Sequence, residues 1–228
     1  MRTIIHIGQH KTGTTSLQDY LQSQRNNLLK KGLYVPDSLA GINHPSHYIL
    51  NVFALDKERL SPMKEHLLST KPKSFFDNLE NKLTSDIEKH YKQAQENNCS
   101  DIIWSNEGLY LLNSENEYKK LLQLFTKHSD NIVCVCTFRE KKSFRKSYVK
   151  QLLKQKINFI QTKDSYRYIH EDSWLFDYES KINLLKKVFK DTIFIDYEPQ
   201  NMVKIFMTSI GYYVSQNIKE KHLNITDK

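Results

Sequence analysis

Residues 4–21, IIHIGQHKTGTTSLQDYL, constrain this chain more than any other stretch. An apolar run with the character of a buried strand gives way to a short loop bounded by Gly8 and Gly13, and a helix then opens on Thr14 and Thr15. The first turn of a helix leaves backbone N–H groups unpaired, and the positive end of the helix dipole adds to them, so the turn before Thr14 favours an anion. Lys11, inside the loop, contributes a positive charge on a flexible stem. The plainer alternative is a tight strand-to-helix connection in a parallel sheet that binds nothing.

The nucleotide P-loop places four residues between two glycines and then a lysine directly after the second. Gly8 and Gly13 have that separation, but Thr14 stands where the lysine belongs. A kinase reading therefore lacks the group that reaches the transferred phosphoryl. A second segment, IVCVCTFREKKSFRKSY at 132–148, runs from an apolar strand into a basic helix, with Arg139 and Ser147 eight residues apart. A guanidinium presents a fixed fork of donors to phosphate oxygens, and a serine hydroxyl adds a short hydrogen bond. The neighbouring Lys141, Lys142, Arg145, Lys146, Lys150, Lys154 and Lys156 read as a solvated charged face. A third segment, DIIWSNEGLYLL at 101–112, is again an apolar strand ending in a polar turn, and in an open parallel sheet its end faces the same crevice as Lys11 and Arg139. Glu107 is a carboxylate suited to accept a proton there, or else a residue stabilised by the dipole of a short helix beginning at that point.

Taken together, HIGQHKTGTTSLQ at residues 6–18, Arg139 with Ser147, and Ser105-Asn106-Glu107 resemble the sulfotransferases that use 3′-phosphoadenosine 5′-phosphosulfate (PAPS), in particular the bacterial and carbohydrate-directed branch with its HxGxHKTGTTxLQ opening. That branch often carries Ser-Ser-Glu where this chain has Asn106 in the middle. The resemblance implies that Lys11, Thr12, Gly13, Thr14, Thr15 and Ser16 bind the 5′-phosphosulfate side of PAPS, and that Arg139 and Ser147 bind its 3′-phosphate. It further implies catalytic roles for Lys11, Glu107 and His10, with Lys11 neutralising the leaving oxygen and Glu107 taking the acceptor proton. No metal is required, and the product is adenosine 3′,5′-bisphosphate. The acceptor implied is a glycan or another compound offering a hydroxyl or amine. A nucleotide-dependent kinase and a catalytically idle phosphate-binding relative are the alternatives.

Of the nine histidines, His6 reads as a core residue of the first strand, whereas His10 lies beside Lys11. His44 and His47, in GINHPSHY, are further candidates for the base or for acceptor contact. No Cys/His cluster has metal-ligand spacing. Cys134 and Cys136 sit two apart on one strand, which argues against a disulfide between them.

Short apolar runs at 3–7, 33–35, 102–104, 132–137 and 192–196 alternate with helical patterns, so the fold expected is a single α/β domain over 1–228: a parallel β-sheet flanked by helices, like the P-loop NTPase-related sulfotransferase fold. One helix is expected over 14–30, closed by Gly32 and setting Leu17, Tyr20, Leu21 and Leu28 on one face; another carries Phe76, Leu79, Leu83 and Ile87. Trp174, Phe176, Tyr178, Ile182, Leu185 and Phe189 read as core. LFDYESKINLLKKVFKDTIFIDYE at 175–198 and Asn224-Ile225-Thr226 resemble the family again, in part. Four of the five prolines fall between 36 and 100, so this acceptor-side insertion is expected to be loop-rich before the helix near Phe76. The net charge of +8 suits an anionic cofactor and an acidic acceptor, and no nucleic-acid-binding motif accompanies it. The first strand begins at once and no apolar run approaches the roughly 20 residues of a membrane span, which predicts a cytoplasmic protein with no transmembrane segment.

Overall fold

The computed structural model describes residues 1–214, so Asn224-Ile225-Thr226 lies outside the described residues. Its frame is a five-stranded sheet built from β1 (Arg2–Gly8), β2 (Leu33–Tyr34), β5 (Asp101–Ser105), β6 (Asn131–Phe138) and β7 (Asp191–Asp196). The strands run in the order β2-β5-β1-β6-β7, and each adjacent pair is parallel. All five expected strands are present, extended by a residue or two or, for β2, shortened. Both faces of the central strands are buried, which is why they read as near-continuous apolar runs.

Alternation along each strand sends side chains to opposite faces. On one face Ile4, Ile103, Val133 and Val135 meet Leu17 and Leu21 of α1 (Thr14–Ser23), Leu28 of α2 (Arg25–Lys30) and Phe206 and Met207 of α10 (Met202–Ser209). On the other, Ile5, Ile7, Trp104, Cys134 and Cys136 meet Leu83, Ile87 and Tyr91 of α6 (Leu79–Glu96), Tyr118 and Leu121 of α7 (Glu115–Gln123), Phe144, Tyr148 and Leu152 of α8 (Lys141–Lys154) and Leu185 of α9 (Tyr178–Val188). Ile4, Ile5 and Ile7 are fully buried, each contributing roughly 1.5–3 kcal/mol to folding. Cys134 and Cys136 share the second face as free thiols, and burial pushes the Cys136 thiol up to about 12.

Three local expectations are revised. The helix expected over 14–30 breaks at Gln24, whose φ of −99° and ψ of 8° end α1 and cap α2. The bend brings Leu28 into the same cluster as Leu17 and Leu21, leaving Tyr20 only half-buried. Similarly, Asn78 separates α6 from α5 (Lys73–Asp77), which holds Phe76. The stretch 36–100 is also more ordered than its prolines suggest. It forms a hairpin of β3 (Ser38–Leu39) and β4 (Ile42–Asn43), then α3 (Ile49–Ala54) and α4 (Pro62–Thr70), the latter started by Pro62 with the Ser61 side chain as its cap. No helix among the described residues is long and apolar enough to cross a membrane.

From β1 the chain moves to one side of the sheet through β2 and β5, then crosses to β6 and β7 on the other. This reversal at β1 is where an open α/β sheet gathers ligands beyond its carboxyl ends. His6 is in register with Ser105 and Gly8 with Thr137, so the loop at 9–13, the Asn106-Glu107 turn and Arg139 leave the sheet at one edge.

Candidate anion and proton-transfer site

Gly8 closes β1 where a Cβ would lie 2.7 Å from Thr14 Cγ2 and 2.9 Å from His6 Nε2, so the loop can fold back on α1 only without a side chain there. Two residues then turn left-handed, Lys11 at φ 67° and Gly13 at φ 72°. Such reversals point successive N–H groups into a concavity, the geometry of an anion nest. Gly13 caps α1 without a side-chain hydrogen bond, and the first turn of α1 contains no acid. Thr12 is buried and donates to the Gln9 carbonyl (2.6 Å); Thr14 is buried, Ser16 half-buried and Thr15 exposed.

Arg139 meets this loop from β6. Its Nη1 donates to the Lys11 carbonyl (3.0 Å) and its Nε to Ser143 Oγ (2.9 Å), while Tyr197 lies against the guanidinium at 5.2 Å. Thus Ser143, one turn into α8, is the serine that touches Arg139; Ser147 follows a turn later, half-buried on the same side. The Arg139 backbone is pinned as well, its N–H donating to Gln9 Oε1 (2.8 Å) and its carbonyl accepting from Tyr178 Oη (2.7 Å). Burial, then the charges of Lys154 and Arg139, hold the Lys11 ammonium below its ordinary value. Among the described residues no ion pair involves Lys11, Arg139 or Lys154. Arg139 lends some of its charge to the adjacent Glu140 carboxylate, but none of the three cations has an ion-pair partner among the described residues, and a bound anion would supply one.

Glu107 opens a 3₁₀ turn over Glu107–Leu111 at the end of β5. Asn106 caps that turn through its own side chain, Oδ1 accepting from the Gly108 N–H (2.7 Å), so the Glu107 carboxylate is not used as the cap. Instead Glu107 Oε2 accepts from Gln18 Nε2 (2.7 Å) and Ser46 Oγ (3.3 Å), which orients it from α1 on one side and from the segment following β4 on the other. The far end of the turn is held by Lys181, whose buried ammonium donates to the carbonyls of Tyr110 (3.1 Å) and Leu112.

His6 and the three candidate imidazoles, His10, His44 and His47, separate clearly. His10 stacks on Tyr148 at 5.8 Å; burial pushes it toward its neutral form, against the pull of Glu107. His6 is buried, bonded through Nδ1 to Ser105 Oγ (2.8 Å), and burial lowers it to about 4. His47, one of the candidates for the base or for acceptor contact, has a structural engagement instead. Its Nδ1 accepts from the Ser105 N–H (3.0 Å) and its Nε2 faces the Pro36 carbonyl (3.3 Å), so both nitrogens are engaged in tying the insertion to β5, and burial lowers it to about 4. His44 is exposed, edge-on to Tyr48 at 5.3 Å, in a shallow depression shared with Ile42 and Ser46. Among the described residues no group of three or more His, Cys, Asp or Glu is placed to hold a metal ion.

No family model matches the chain, and no curated protein sequence matches it either. Its three-dimensional form does find a counterpart. The crystal structure of a sulfotransferase from Alicyclobacillus acidocaldarius superposes on it with a TM-score of 0.55, covering 100% of this chain and 87% of that one at 12% identity. The chain has the sulfotransferase fold. The sulfotransferase domain from the curacin biosynthetic pathway also aligns, with a TM-score of 0.48 and 14% identity over 95% of this chain and 76% of that domain.

Six residues of the site have roles the sequence did not announce: Gln9, Tyr178, Tyr197 and Ser143 around Arg139, and Gln18 and Ser46 on Glu107. Ser143 carries a local signal, since it lies four residues after Arg139 at the start of a helix. Gln9 and Tyr178 reach Arg139 from 130 and 39 residues away, distances at which spacing is silent.

Proposed function

We propose that this protein transfers the sulfuryl group of PAPS to a hydroxyl or amine of an acceptor, a glycan or a compound of similar polarity, within one domain whose insertion at about 36–100 selects the acceptor. The observation that carries the reading is the union of a helix-start nest with the cluster of Lys11, Arg139 and Lys154, none of them ion-paired among the described residues, beside the oriented Glu107 carboxylate. The donor set suits a doubly phosphorylated nucleotide: amides and hydroxyls from Thr12 to Ser16 on the 5′ side, and Arg139 with Ser147 and Ser143 on the 3′ side.

In the reaction the acceptor oxygen forms a bond to sulfur as the bond from sulfur to the bridging phosphate oxygen breaks. Glu107 takes the acceptor proton, held for this by Gln18 and Ser46. Lys11 opposes the negative charge that appears on the bridging oxygen, and His10 lines the same loop as an imidazole biased to neutrality. Positioning and electrostatics supply most of the acceleration in a displacement of this kind. A kinase would need a lysine where Thr14 is buried beneath Gly8.

Thermal unfolding with added adenosine 3′,5′-bisphosphate, or with ATP and magnesium, tests the reading, because a ligand bound only by the folded state raises stability by mass action. Stabilisation by the bisphosphate that is lost in Lys11→Ala and Arg139→Ala is expected. Stabilisation by ATP with magnesium alone would overturn the proposal in favour of a kinase. Bisphosphate binding with no transfer to any hydroxyl acceptor, unaffected by Glu107→Ala, would favour an idle relative.

A further inference from the structure

Between Lys141 and Lys163 the chain carries eight lysines or arginines and no aspartate or glutamate, a formal charge equal to the +8 of the whole protein. The structure folds this segment as α8 and the loop after it. Phe144, Tyr148 and Leu152 face the core, whereas Lys142, Lys146, Lys150 and Leu153 recur at helical spacing on the outer side. Arg145 pairs with Glu171 (3.3 Å) and Lys163 with Asp172 (2.9 Å); the other six cations have no ion pair among the described residues. Glu140, which caps α8 at its start, is the acid nearest in sequence to the outer lysines.

A charged face of this sort is ordinarily just solvated. Here it is accompanied by exposed apolar side chains: Leu153 is 59% exposed, Phe159 40% and Ile160 36%, three of the six large exposed hydrophobics among the described residues. All three fall between 153 and 160, at and just after the C-terminal end of α8. Lys156 turns left-handed at φ 58°, and the Ile157 N–H returns to the Leu152 carbonyl (2.9 Å), reversing the chain so that Phe159 and Ile160 follow closely on Leu153.

We propose that this surface docks the protein peripherally on an anionic lipid bilayer, its lysines at the depth of the headgroups and Leu153, Phe159 and Ile160 entering the interface. Charge complementarity with this predominantly cationic face supplies long-range attraction, and the apolar side chains supply what a water-exposed polyanion could not use. Lys154 belongs to both surfaces, since its charge also acts on Lys11. The mouth of the anion site therefore adjoins the docked face.

The test is flotation of the full-length protein with vesicles of phosphatidylcholine, with and without about 30% phosphatidylglycerol. Binding to the anionic vesicles alone is expected, with a loss of about fivefold in partition for each of Lys146→Ala and Lys150→Ala. The pair Leu153→Ser and Phe159→Ser should also weaken binding although it leaves the charge unchanged. Thermal midpoints of these surface variants close to that of the parent protein establish that they fold. Absence of binding to anionic vesicles overturns the proposal. So does unchanged vesicle binding by the serine pair together with equally strong lysine-dependent binding to soluble polyphosphate, which would mark the face as a site for a soluble polyanion. The vesicle readout is independent of the transferase reading and can hold or fail without it.

Discussion

Gln9→Ala should weaken both the fold and the anion site. The Gln9 side chain is fully buried at the start of the loop, with Oε1 accepting from the Arg139 N–H at 2.8 Å and Nε2 donating to Tyr110 Oη at 3.1 Å. Truncation strands these two partners unequally. The Tyr110 hydroxyl keeps its bond to the Leu175 carbonyl (3.0 Å), whereas the Arg139 N–H loses its acceptor. One stranded donor costs about 1–3 kcal/mol, and the space vacated by the amide adds to it, so a loss of roughly 2–4 kcal/mol is expected in urea denaturation. Arg139 would retain Tyr178 on its carbonyl but lose the tie that fixes its backbone relative to the loop. Binding of adenosine 3′,5′-bisphosphate should then fall on the order of tenfold, the cost of misaligning one charge-assisted contact. Ser129→Ala is the control, because Ser129 Oγ bonds the Met1 and Asn131 carbonyls at the opposite end of the sheet. It should reduce stability while leaving affinity alone. If Gln9→Ala binds the bisphosphate as tightly as Ser129→Ala does, Gln9 does not hold Arg139 in its binding position and the reasoning fails.

Other consequences can be checked separately. Gly8→Ala should lower stability by about 1–3 kcal/mol in the same urea assay, because its Cβ would meet Thr14 Cγ2 and His6 Nε2 below 3 Å. Glu107→Gln should keep the thermal shift given by the bisphosphate while turnover drops by about 10²–10⁴. Gln18→Leu should reproduce part of that loss in kcat with bisphosphate affinity unchanged, and rescue by Gln18→Asn would show that an amide donor is what matters. The buried imidazoles predict acid lability. His47 titrates near 6.5 when unfolded and at about 4 when folded, so its contribution is complete above pH 6.5 and is lost as the pH falls from 6.5 to 4, by up to about 3 kcal/mol. His47→Gln should flatten stability against pH over that window, and an unchanged slope would count against a neutral buried His47.

The strands and the loop after β1 were legible because each depends on neighbours in sequence. Periodicity marked β1, β5 and β6, and Gly8, Lys11 and Gly13 announced a loop whose left-handed residues the structure shows at Lys11 and Gly13. Breaks within helices were not legible. Gln24 and Asn78 are neither proline nor glycine, and the bends they allow are set by what Leu28 and Leu79 must bury.

His47 shows the boundary most plainly. Two histidines in GINHPSHY look alike in sequence, yet one is exposed beside Tyr48 and the other has both nitrogens committed to the backbone of Ser105 and Pro36. Glu107 makes the same point: its carboxylate was identifiable, but its freedom from capping depended on Asn106, and its orientation on Gln18 and Ser46 from distant elements. The sequence by itself determined the alternation of strands and helices and the glycine-bounded, hydroxyl-rich character of the loop after β1, since propensity and backbone sterics act over a few residues. Tertiary structure alone decided which groups became partners, because burial and hydrogen-bond satisfaction are settled between segments tens of residues apart, where each side chain's role follows from what is left to bond it.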